Sequence, residues 1–421
     1  MIHKQLKAYR TYQQFLQNVL TFCGCSCMST KSSKLSYYWS VCVILMMILY
    51  ITVSLHMCYI LRHNLKVMMK FVGITISALS AIFKVVIFMI NRNSLINYHQ
   101  TLNNLFEEEL KNEKIQTILF SSLRTIYTLA YTYFAVLVGI IFTYFGSPYI
   151  FVIHSLFYLH LTTNYTLPLS RGMGWFWPIP HNFLYHLHLF CETGMVILST
   201  MTTCGVDSAF GFYVYQFYST IRAMTFAITN PLSTEKFSDI LRTCVLKHQK
   251  LLQCRNTLEQ VYGPIVFWHI VTNAVLLCAL MYDVTSLSEF TFYDVSSSIV
   301  YVVVKLLQTF IYAWYGTFLT NAGEDFRTGI YFGKWPYSSL DRHVRTNVIL
   351  IMMQKPMTVY AFFSPVNVMM FTKVRISISI INSIEKSIRN NYSHFVQFLD
   401  AVNSNLVFKL LCHFIFLRNF Q

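Results

Sequence analysis

Residues 335–363 read WPYSSLDRHVRTNVILIMMQKPMTVYAFF, and an apolar run continues beyond them. The first half is basic and aromatic and becomes apolar at Val348, whereas Gln354-Lys355-Pro356 interrupts the apolar run. Proline has no backbone donor and a fixed φ, so Pro356 suits the first turn of a new helix better than the interior of an old one. The pattern predicts a broken span, with a basic half at a membrane face and a second helix that crosses the bilayer from Pro356.

On this second helix, small and weakly polar residues recur at three- and four-residue spacing, namely Thr358, Ala361, Ser364, Val368 and Thr372. In a helix that spacing places the side chains on one face. The stripe has two interpretations, the wall of an aqueous path or a small-residue contact between packed helices. The second is the commoner in membranes, and periodicity alone leaves both open.

The composition is that of a polytopic membrane protein. Of the 421 residues, 55% are hydrophobic and 12% are charged, which is too apolar for an ordinary soluble domain. Each span needs about 20 apolar residues. Apolar runs predict seven spans, at 37–61, 67–90, 126–145, 183–205, 262–282, 298–319 and 356–372. The expected fold class is therefore an all-α membrane protein with seven transmembrane helices, the seventh broken at Gln354-Lys355-Pro356.

The placement of basic residues explains the net charge of +15. With the N-terminus inside, the inner segments before the seventh span contain twenty lysines and arginines, and the outer segments contain three. Because basic loops stay in the cytosol, this asymmetry predicts a cytosolic N-terminus and an extracellular C-terminus. That topology is the inverse of a G-protein-coupled receptor, and no nucleic-acid partner is expected.

The second outer segment, residues 146–181, is rich in aromatic residues and has no acidic one. It contains Leu167-Pro168-Leu169 and Trp175-Phe176-Trp177, and rings of this kind favour the headgroup level. The segment is expected to fold over the helix mouths as an aromatic lid. Asn164 begins an Asn-Tyr-Thr sequon and is the predicted glycosylation site.

The sequence contains no glycine-rich phosphate loop, zinc-protease motif or Cys-x-x-Cys pair, so neither an enzyme nor a cofactor is expected. His186 and His188 are two residues apart and face different sides of a helix, which disfavours a metal site. Intramembrane carboxylates are functional candidates, and two occur, Glu192 and Asp207; the second, near the inner end of its span, suits a role in helix packing. Lys84 and Lys305 are expected to reach a water-filled interior or a headgroup rather than a ligand.

An apolar, aromatic-rich interior remains as the candidate binding site. If spans two, three, four and six splay at their outer halves, the predicted ligand-binding residues are Phe71, Ile74, Thr75, Leu137, Ile141, Tyr144, Tyr185, Leu189, Val302 and Leu306. Such a pocket would bind a small apolar molecule mainly by burial, at ~25 cal/mol per Å², with a few polar groups setting orientation. The alternative is that these are ordinary core positions.

Several motifs are distributed along the C-terminal part of the chain. They are Tyr312-Ala-Trp314-Tyr-Gly316, Glu324-Asp325, Ile330-Tyr331-x-x-x-Trp335, Arg345, Met352-Met-Gln-Lys355-Pro356, Phe371-Thr-Lys and Tyr392-Ser-x-Phe395, with Leu167-Pro168, Gly205-Val206-Asp207 and His248 earlier. Together they resemble the signature of the insect odorant receptors. The resemblance covers nearly the whole chain at the level of topology, and the part from Tyr312 to Pro356 is the most specific.

The resemblance implies a ligand-tuning subunit, over residues 1–400, of a ligand-gated, non-selective cation channel. Four subunits would surround a pore in the plasma membrane of olfactory sensory neurons, a shared odorant co-receptor would be the partner, and a small volatile molecule would be the ligand. The implied parts are an outer ligand pocket at 67–206 and 298–310, a cytosolic anchor at 213–260 and 320–353, and a pore helix at 356–399. The implied pore residues are Thr358, Ser364, Phe395, Val396 and Gln397.

One departure from the family concerns the outer gate of the pore, which the resemblance places near Tyr392-Ser-x-Phe395. Phe371 and Tyr392 are 21 residues apart, and removing residues 375–387 would restore the family's shorter spacing. Thirteen residues are not a whole number of turns at ~3.6 per turn, so a continuous helix would rotate the gate off the pore face. The hypothesis is a retained intron or a gene-model error, and the tail 401–421 is also atypical. A G-protein-coupled chemosensory receptor and a solute transporter are the alternative functions.

Overall fold

The computed structural model describes residues 2–28, 34–63, 65–157, 167, 169–170, 183–231, 237–285, 292–332, 342–353, 357–361, 364–370 and 372. The helices are α1 (Ile2–Phe22), α2 (Lys34–Ile60), α3 (Leu65–Ile90), α4 (Arg92–Leu110), α5 (Glu113–Phe120), α6 (Leu123–Phe157), α7 (Phe183–Thr229), α8 (Phe237–Thr285), α9 (Phe292–Tyr331) and α10 (Arg342–Met353). Two short strands follow, β1 (Tyr360–Ala361) and β2 (Ser364–Pro365).

Four stretches of the described helices are long and apolar enough to cross a membrane, judged by length and composition. They are Leu35–Ile60, Phe71–Ile90, Glu113–Phe142 and Phe183–Thr229. These stretches overlap the first four predicted spans. The predicted spans at 262–282 and 298–319 lie within α8 and α9.

Helix α7 is the central element and contacts α1 to α6, α8 and α9. Every side chain from Cys204 to Phe217 is buried, because neighbouring helices surround this stretch on all sides. The helix has 47 residues, which at 1.5 Å per residue makes it about 70 Å long. Since the hydrocarbon core of a bilayer is only about 30 Å thick, α7 extends well beyond it, and so does α8 with 49 residues.

The N-terminal segment forms an amphipathic helix that the sequence did not predict. Helix α1 buries Tyr9, Tyr12, Leu16 and Leu20 on one face, at the spacing of helical turns. The Tyr9 ring stacks on Phe106 of α4, with 5.0 Å between ring centroids. The Tyr12 hydroxyl donates to the Ser208 carbonyl oxygen, so α1 also packs against the part of α7 that lies beyond the predicted span at 183–205.

The predicted helix from Pro356 is wrong for residues 357–361 and 364–366, where β1 and β2 form a small antiparallel pair, called the hairpin below, instead. Tyr360 pairs with Pro365, and Ala361 pairs with Ser364. The sequence explains the difference, because Pro365 lacks a backbone donor and its ring clashes with the preceding helical turn. Val359, Tyr360 and Val366 also favour extended backbone. The proposed stripe is therefore not a single helix face.

The hairpin packs against α8 and α9 at two glycines. A Cβ at Gly316 would overlap the Val366 carbonyl oxygen, and one at Gly263 would lie 2.9 Å from the Tyr360 carbonyl oxygen. The Thr317 hydroxyl oxygen accepts a hydrogen bond of 2.9 Å from the Val368 amide. These contacts hold one side of the hairpin against α8 and α9.

Of the predicted pore residues, Thr358 and Ser364 lie in the hairpin and are half-buried. Residues outside the described part of the chain include Phe395, Val396, Gln397 and the glycosylation candidate Asn164. The break at 354–356, the tryptophan-rich run at 175–177, the extra residues 375–387 and the tail 401–421 lie there as well.

Candidate ligand-binding cavity

A cavity of about 180 Å³ lies among helices α2, α3, α6, α7, α8 and α9. One part of its wall is apolar or aromatic, formed by Tyr50, Ile74, Leu137, Ile140, Ile141, Phe145, Leu169, Val196 and Val304. The other part is polar, formed by Ser77, Ser80, Lys84, Tyr133, Ser199, Thr200, Thr203, His269, Lys305 and Gln308. The cavity is thus amphipathic, with a hydrocarbon-like end and a hydrogen-bonding end.

A buried carboxylate holds the loop that covers the apolar end. Glu192 of α7 is fully buried. Its Oε2 accepts a hydrogen bond of 2.9 Å from the Leu169 amide, and its Oε1 accepts one of 3.2 Å from the Ser170 amide. Because Leu169 lines the cavity, Glu192 positions part of the cavity wall. Charge-assisted bonds of this kind are about twice as strong as neutral ones.

At the polar end, the buried carboxylate of Asp207 joins three other helices to α7. Lys84 Nζ of α3 and the Tyr312 hydroxyl of α9 each donate to Oδ1 at 2.5 Å. Oδ2 accepts from the Tyr133 hydroxyl of α6 at 3.1 Å and from Gln308 Nε2 of α9 at 2.7 Å. Four donors on one carboxylate satisfy most of its lone pairs, which offsets the cost of removing it from water.

A second polar group, centred on Asn273 of α8, lies beside the first. Its Nδ2 donates to Thr309 Oγ1 at 2.8 Å and to the Lys305 carbonyl oxygen at 3.2 Å, and lies 2.8 Å from His269 Nε2. The other ring nitrogen, Nδ1 of His269, is buried and has no hydrogen-bond partner among the described residues. His269 also lines the cavity, so the cavity is where a partner for this nitrogen would fit.

A sequence model described as "7tm Odorant receptor" matches residues 64–376, which is most of the chain. The chain belongs to the odorant receptor family. This is a family of receptors and not of enzymes. No curated protein matches the chain individually.

Two solved structures of similar fold are of the insect olfactory receptor OR5 from Machilis hrabei. The first has a TM-score of 0.68 and 15% identity, and the match covers 89% of this odorant receptor and 97% of that chain. The second, in complex with eugenol, has a TM-score of 0.66 and 14% identity, with 90% and 99% covered. The prediction of an all-α membrane fold of the insect odorant receptor type is confirmed.

Three of the ten ligand-binding residues predicted for this odorant receptor line the cavity, namely Ile74, Leu137 and Ile141. Phe71 is instead buried between helices in contact with a cluster that contains Tyr50 and Met195. The Thr75 hydroxyl donates to the Phe71 carbonyl oxygen within α3. Both residues therefore stabilise helix packing beside the cavity.

The remaining predicted positions lie elsewhere. Tyr185 and Leu189 pack with Phe145 and Leu167 in a separate layer near the start of α7. Leu306 is half-buried and is not part of the cavity wall. The side chains of Tyr144 and Val302 lie outside the part of the chain that the structure describes.

The polar end was the part that sequence reasoning missed. Lys84 and Lys305 were not expected to contact a ligand, yet both line the cavity. Asp207 is a packing anchor, as its position near the inner end of the span suggested, and it is also the acceptor that holds Lys84. The available signal was the presence of ionisable residues within apolar runs, which usually marks a functional interior.

Farther along α7, past Asp207, two histidines are buried in a protein interior outside the predicted spans. His99 of α4 lies edge-on to Tyr213, and His248 of α8 stacks on Phe326. Burial lowers the pKa of His99 to about 4. Burial, reinforced by the positive charge of Arg255, lowers the pKa of His248 to about 4. Both rings are therefore neutral at physiological pH.

Proposed function

We propose that this chain is the ligand-tuning subunit of an odorant-gated, non-selective cation channel that detects small volatile molecules. It would assemble with the shared odorant co-receptor as a heterotetramer in the plasma membrane of olfactory sensory neurons. The observation that carries the proposal is the amphipathic cavity between helices of an odorant receptor fold. The Machilis receptor, which has a similar fold, has a structure in complex with eugenol.

The size of the cavity supports a volatile ligand. An apolar cavity of about 150 Å³ accommodates a molecule the size of benzene, and this one measures about 180 Å³. Since several helices contribute to its wall, a bound molecule would favour whichever arrangement of those helices fits it best. A ligand shifts a conformational equilibrium only by its difference in affinity for the two states, so opening would follow from tighter binding to the open arrangement.

The proposed topology is inverted, with the N-terminus in the cytosol. Its support is the asymmetry of twenty basic residues in the inner segments against three in the outer ones. The hairpin and the residues that follow would border the ion path, and the ends of α7, α8 and α9 with α10 would form the anchor between subunits.

The deciding experiment is voltage clamp of cells that express the chain with and without the co-receptor. We expect odorant-evoked cation current only when the co-receptor is present. This current should persist when G-protein signalling is blocked. Current that disappears under the block would favour a G-protein-coupled receptor. Substrate uptake without a gated current would favour a transporter.

A pair of neighbouring tryptophan substitutions ties the current to the cavity. Ile141 lines the cavity, whereas the adjacent Phe142 does not line it and is 70% exposed. Ile141→Trp should fill the cavity and remove the response to odorant. Phe142→Trp should leave the response close to that of the unmodified receptor. Equal responses from the two variants would contradict the assignment of the site.

A further inference from the structure

One side of α7 brings hydroxyl groups to the wall of the cavity. The helix contributes Val196, Ser199, Thr200 and Thr203 to the wall, at three- and four-residue spacing. Residues with that spacing lie on one side of a helix, so three hydroxyl groups and one valine border the same space. Each hydroxyl can donate one hydrogen bond and accept two.

The three hydroxyl groups differ in what they already bind. Thr203 Oγ1 donates to the Ser199 carbonyl oxygen at 3.1 Å, which uses its proton. The hydroxyls of Ser199 and Thr200 form no hydrogen bond with any residue that the structure describes. Two hydroxyl protons at the wall of the cavity are therefore left for a bound molecule.

His269 of α8 adds a third proton at the same end of the cavity. Asn273 Nδ2 donates to the Lys305 carbonyl oxygen, which can only accept, so the amide group presents its nitrogen to this side. The same nitrogen lies 2.8 Å from His269 Nε2. Since an amide nitrogen only donates, Nε2 is the acceptor and the ring proton is on Nδ1.

This ring proton has no acceptor in the described part of the chain. Nδ1 of His269 is buried without a hydrogen-bond partner there, on a side chain only 2% exposed. A buried donor without a partner is costly, and the ring lines the cavity. The observation is independent of the hydroxyls of α7 and indicates the same missing group, a hydrogen-bond acceptor.

A carbonyl oxygen complements such a set of donors. It accepts two hydrogen bonds and brings no proton of its own. A hydrocarbon would leave the donors unpaired, and an alcohol would add a further proton to them.

The opposite end of the cavity sets the rest of the ligand. Leu137, Ile141 and Val304 offer only hydrocarbon there, and Leu169 covers that end from the loop held by Glu192. Burial of an alkyl chain against such a wall raises affinity about fourfold for each methylene.

We propose that the cavity selects small aliphatic ketones and related neutral carbonyl compounds, whose oxygen accepts hydrogen bonds from Ser199, Thr200 and His269. The alkyl chain lies at the apolar end. The inference rests on the proposed function, because it names the ligand class of the same cavity.

The test measures binding of two probes of equal shape to the purified full-length receptor in nanodiscs, with empty nanodiscs as the control for partition into lipid. The probes are 2-hexanone and 2-methyl-1-hexene, which has a methylene group in place of the carbonyl oxygen. Ser199→Ala and Thr200→Val each remove one hydroxyl and change the shape little. Each should lower the affinity ratio of ketone to alkene about two- to tenfold, the range expected for one hydrogen bond.

Two further variants locate the effect. His269→Phe keeps a ring and removes Nδ1, while Asn273 keeps its bonds to Thr309 and Lys305, so the ratio should fall by a similar factor. Thr203→Val is the matched control, since this hydroxyl also lines the cavity but its proton is already bound. An unchanged ratio in Ser199→Ala, Thr200→Val and His269→Phe would overturn the proposal, as would an equal fall in Thr203→Val.

The infrared carbonyl stretch of bound 2-hexanone reports the hydrogen bond itself, after subtraction of the spectrum in empty nanodiscs. Hydrogen bonding weakens the carbonyl bond, so the stretch should lie at lower frequency than for the ketone in hexane. Thr200→Val should move it back towards the hexane value, and Thr203→Val should not. If the variants do not fold, the unmodified receptor decides, because a stretch at the hexane frequency would refute the proposal.

Failure of this proposal is separable from failure of the proposed function. A receptor with the expected ratios and stretch that gives no current with any volatile supports the ligand class and contradicts the channel function. A receptor that conducts equally in response to both probes, with the same ratio in every variant, contradicts the ligand class alone.

Discussion

Lys84 of α3 donates a hydrogen bond to Asp207 of α7 across 2.5 Å, and the two side chains are 2% and 1% exposed. The pair joins residues 123 positions apart in the sequence. Because both charges are buried away from water, each is stabilised mainly by the other. The pair holds α3 against the central helix α7 at the wall of the cavity.

Asp207→Leu should therefore destabilise the receptor strongly. The substitution leaves the Lys84 charge buried without its carboxylate, a change that costs about 3–5 kcal/mol in comparable cases. Thermal unfolding of the purified protein and its amount at the cell surface would measure the loss. The double variant Lys84→Met with Asp207→Leu should recover much of it. Asp239→Asn, at an exposed position on α8, is the control, and a loss of equal size there would argue against a specific role for the pair.

Glu192→Leu should loosen the loop over the apolar end of the cavity. It removes the acceptor of two backbone amides, Leu169 and Ser170, and each amide left unsatisfied costs about 1–3 kcal/mol. We expect faster ligand dissociation and a higher concentration for half-maximal response. Glu113→Gln, at an exposed position on α5, should leave both quantities unchanged. A ligand off-rate in the Glu192 variant that matches the control would show that the loop does not retain ligand.

Acidification should destabilise the end of the bundle that contains His99 and His248. The pKa of each is lowered to about 4 in the folded protein, against about 6.5 in the unfolded chain. The unfolded chain therefore binds more protons in this window. Stability contributed by the neutral rings is complete above pH ~6.5 and is lost as pH falls towards 4, by roughly 3 kcal/mol for each histidine.

The pH effect can be assigned by substitution. His99→Phe and His248→Phe keep an aromatic ring at each position and remove the titrating nitrogen, so each should flatten the decline in unfolding temperature between pH ~6.5 and 4. His3→Phe, at an exposed position on α1, should not change it. An unaltered decline in both buried variants would mean that other groups cause the acid sensitivity.

Gly316→Ala should displace the hairpin, because the added methyl group would overlap the Val366 carbonyl oxygen. Backbone atoms cannot move aside as a side chain can, so we expect a loss of more than about 3 kcal/mol and little odorant-evoked current. Gly139→Ala in α6 is the matched control, since no atom lies within 4 Å of its added Cβ. There the change should be neutral or stabilising by up to about 1 kcal/mol. If the two variants showed the same stability and the same current, the hairpin would not pack against Gly316.

The first six predicted spans coincide with helices because apolar runs of span length have one main solution in a membrane, whereas α1, α4 and α5 lie outside those spans and were not predicted. The cavity wall could be predicted only in part. Ile74, Leu137 and Ile141 were identified, but both the lipid-facing and the inward-facing sides of these helices are apolar, so periodicity does not separate them. Exposed Phe142 and cavity-lining Ile141 are adjacent in sequence and equally apolar.

The hairpin and the polar end could not be predicted for different reasons. Pro356 favours the start of a helix, whereas Pro365 opposes the continuation of one. The contacts that hold the hairpin come from Gly263 and Gly316 on other helices, which no local pattern contains. The partner of Asp207 depends on which faces of α3 and α7 meet, and that follows from the packing of the whole bundle.

Helix α7 connects the Glu192 loop contact at one end to the buried Gln216, whose amide donates to the Tyr9 hydroxyl of α1 at 2.8 Å. Between them runs an unbroken rod of 24 residues, about 36 Å in length. Such a rod acts as a lever: a tilt of only about 5° about one of these points carries the other through about 3 Å, given that length. Under the proposed function, a small molecule bound in the cavity would in this way change the contact between α7 and α1, about 36 Å from the Glu192 contact.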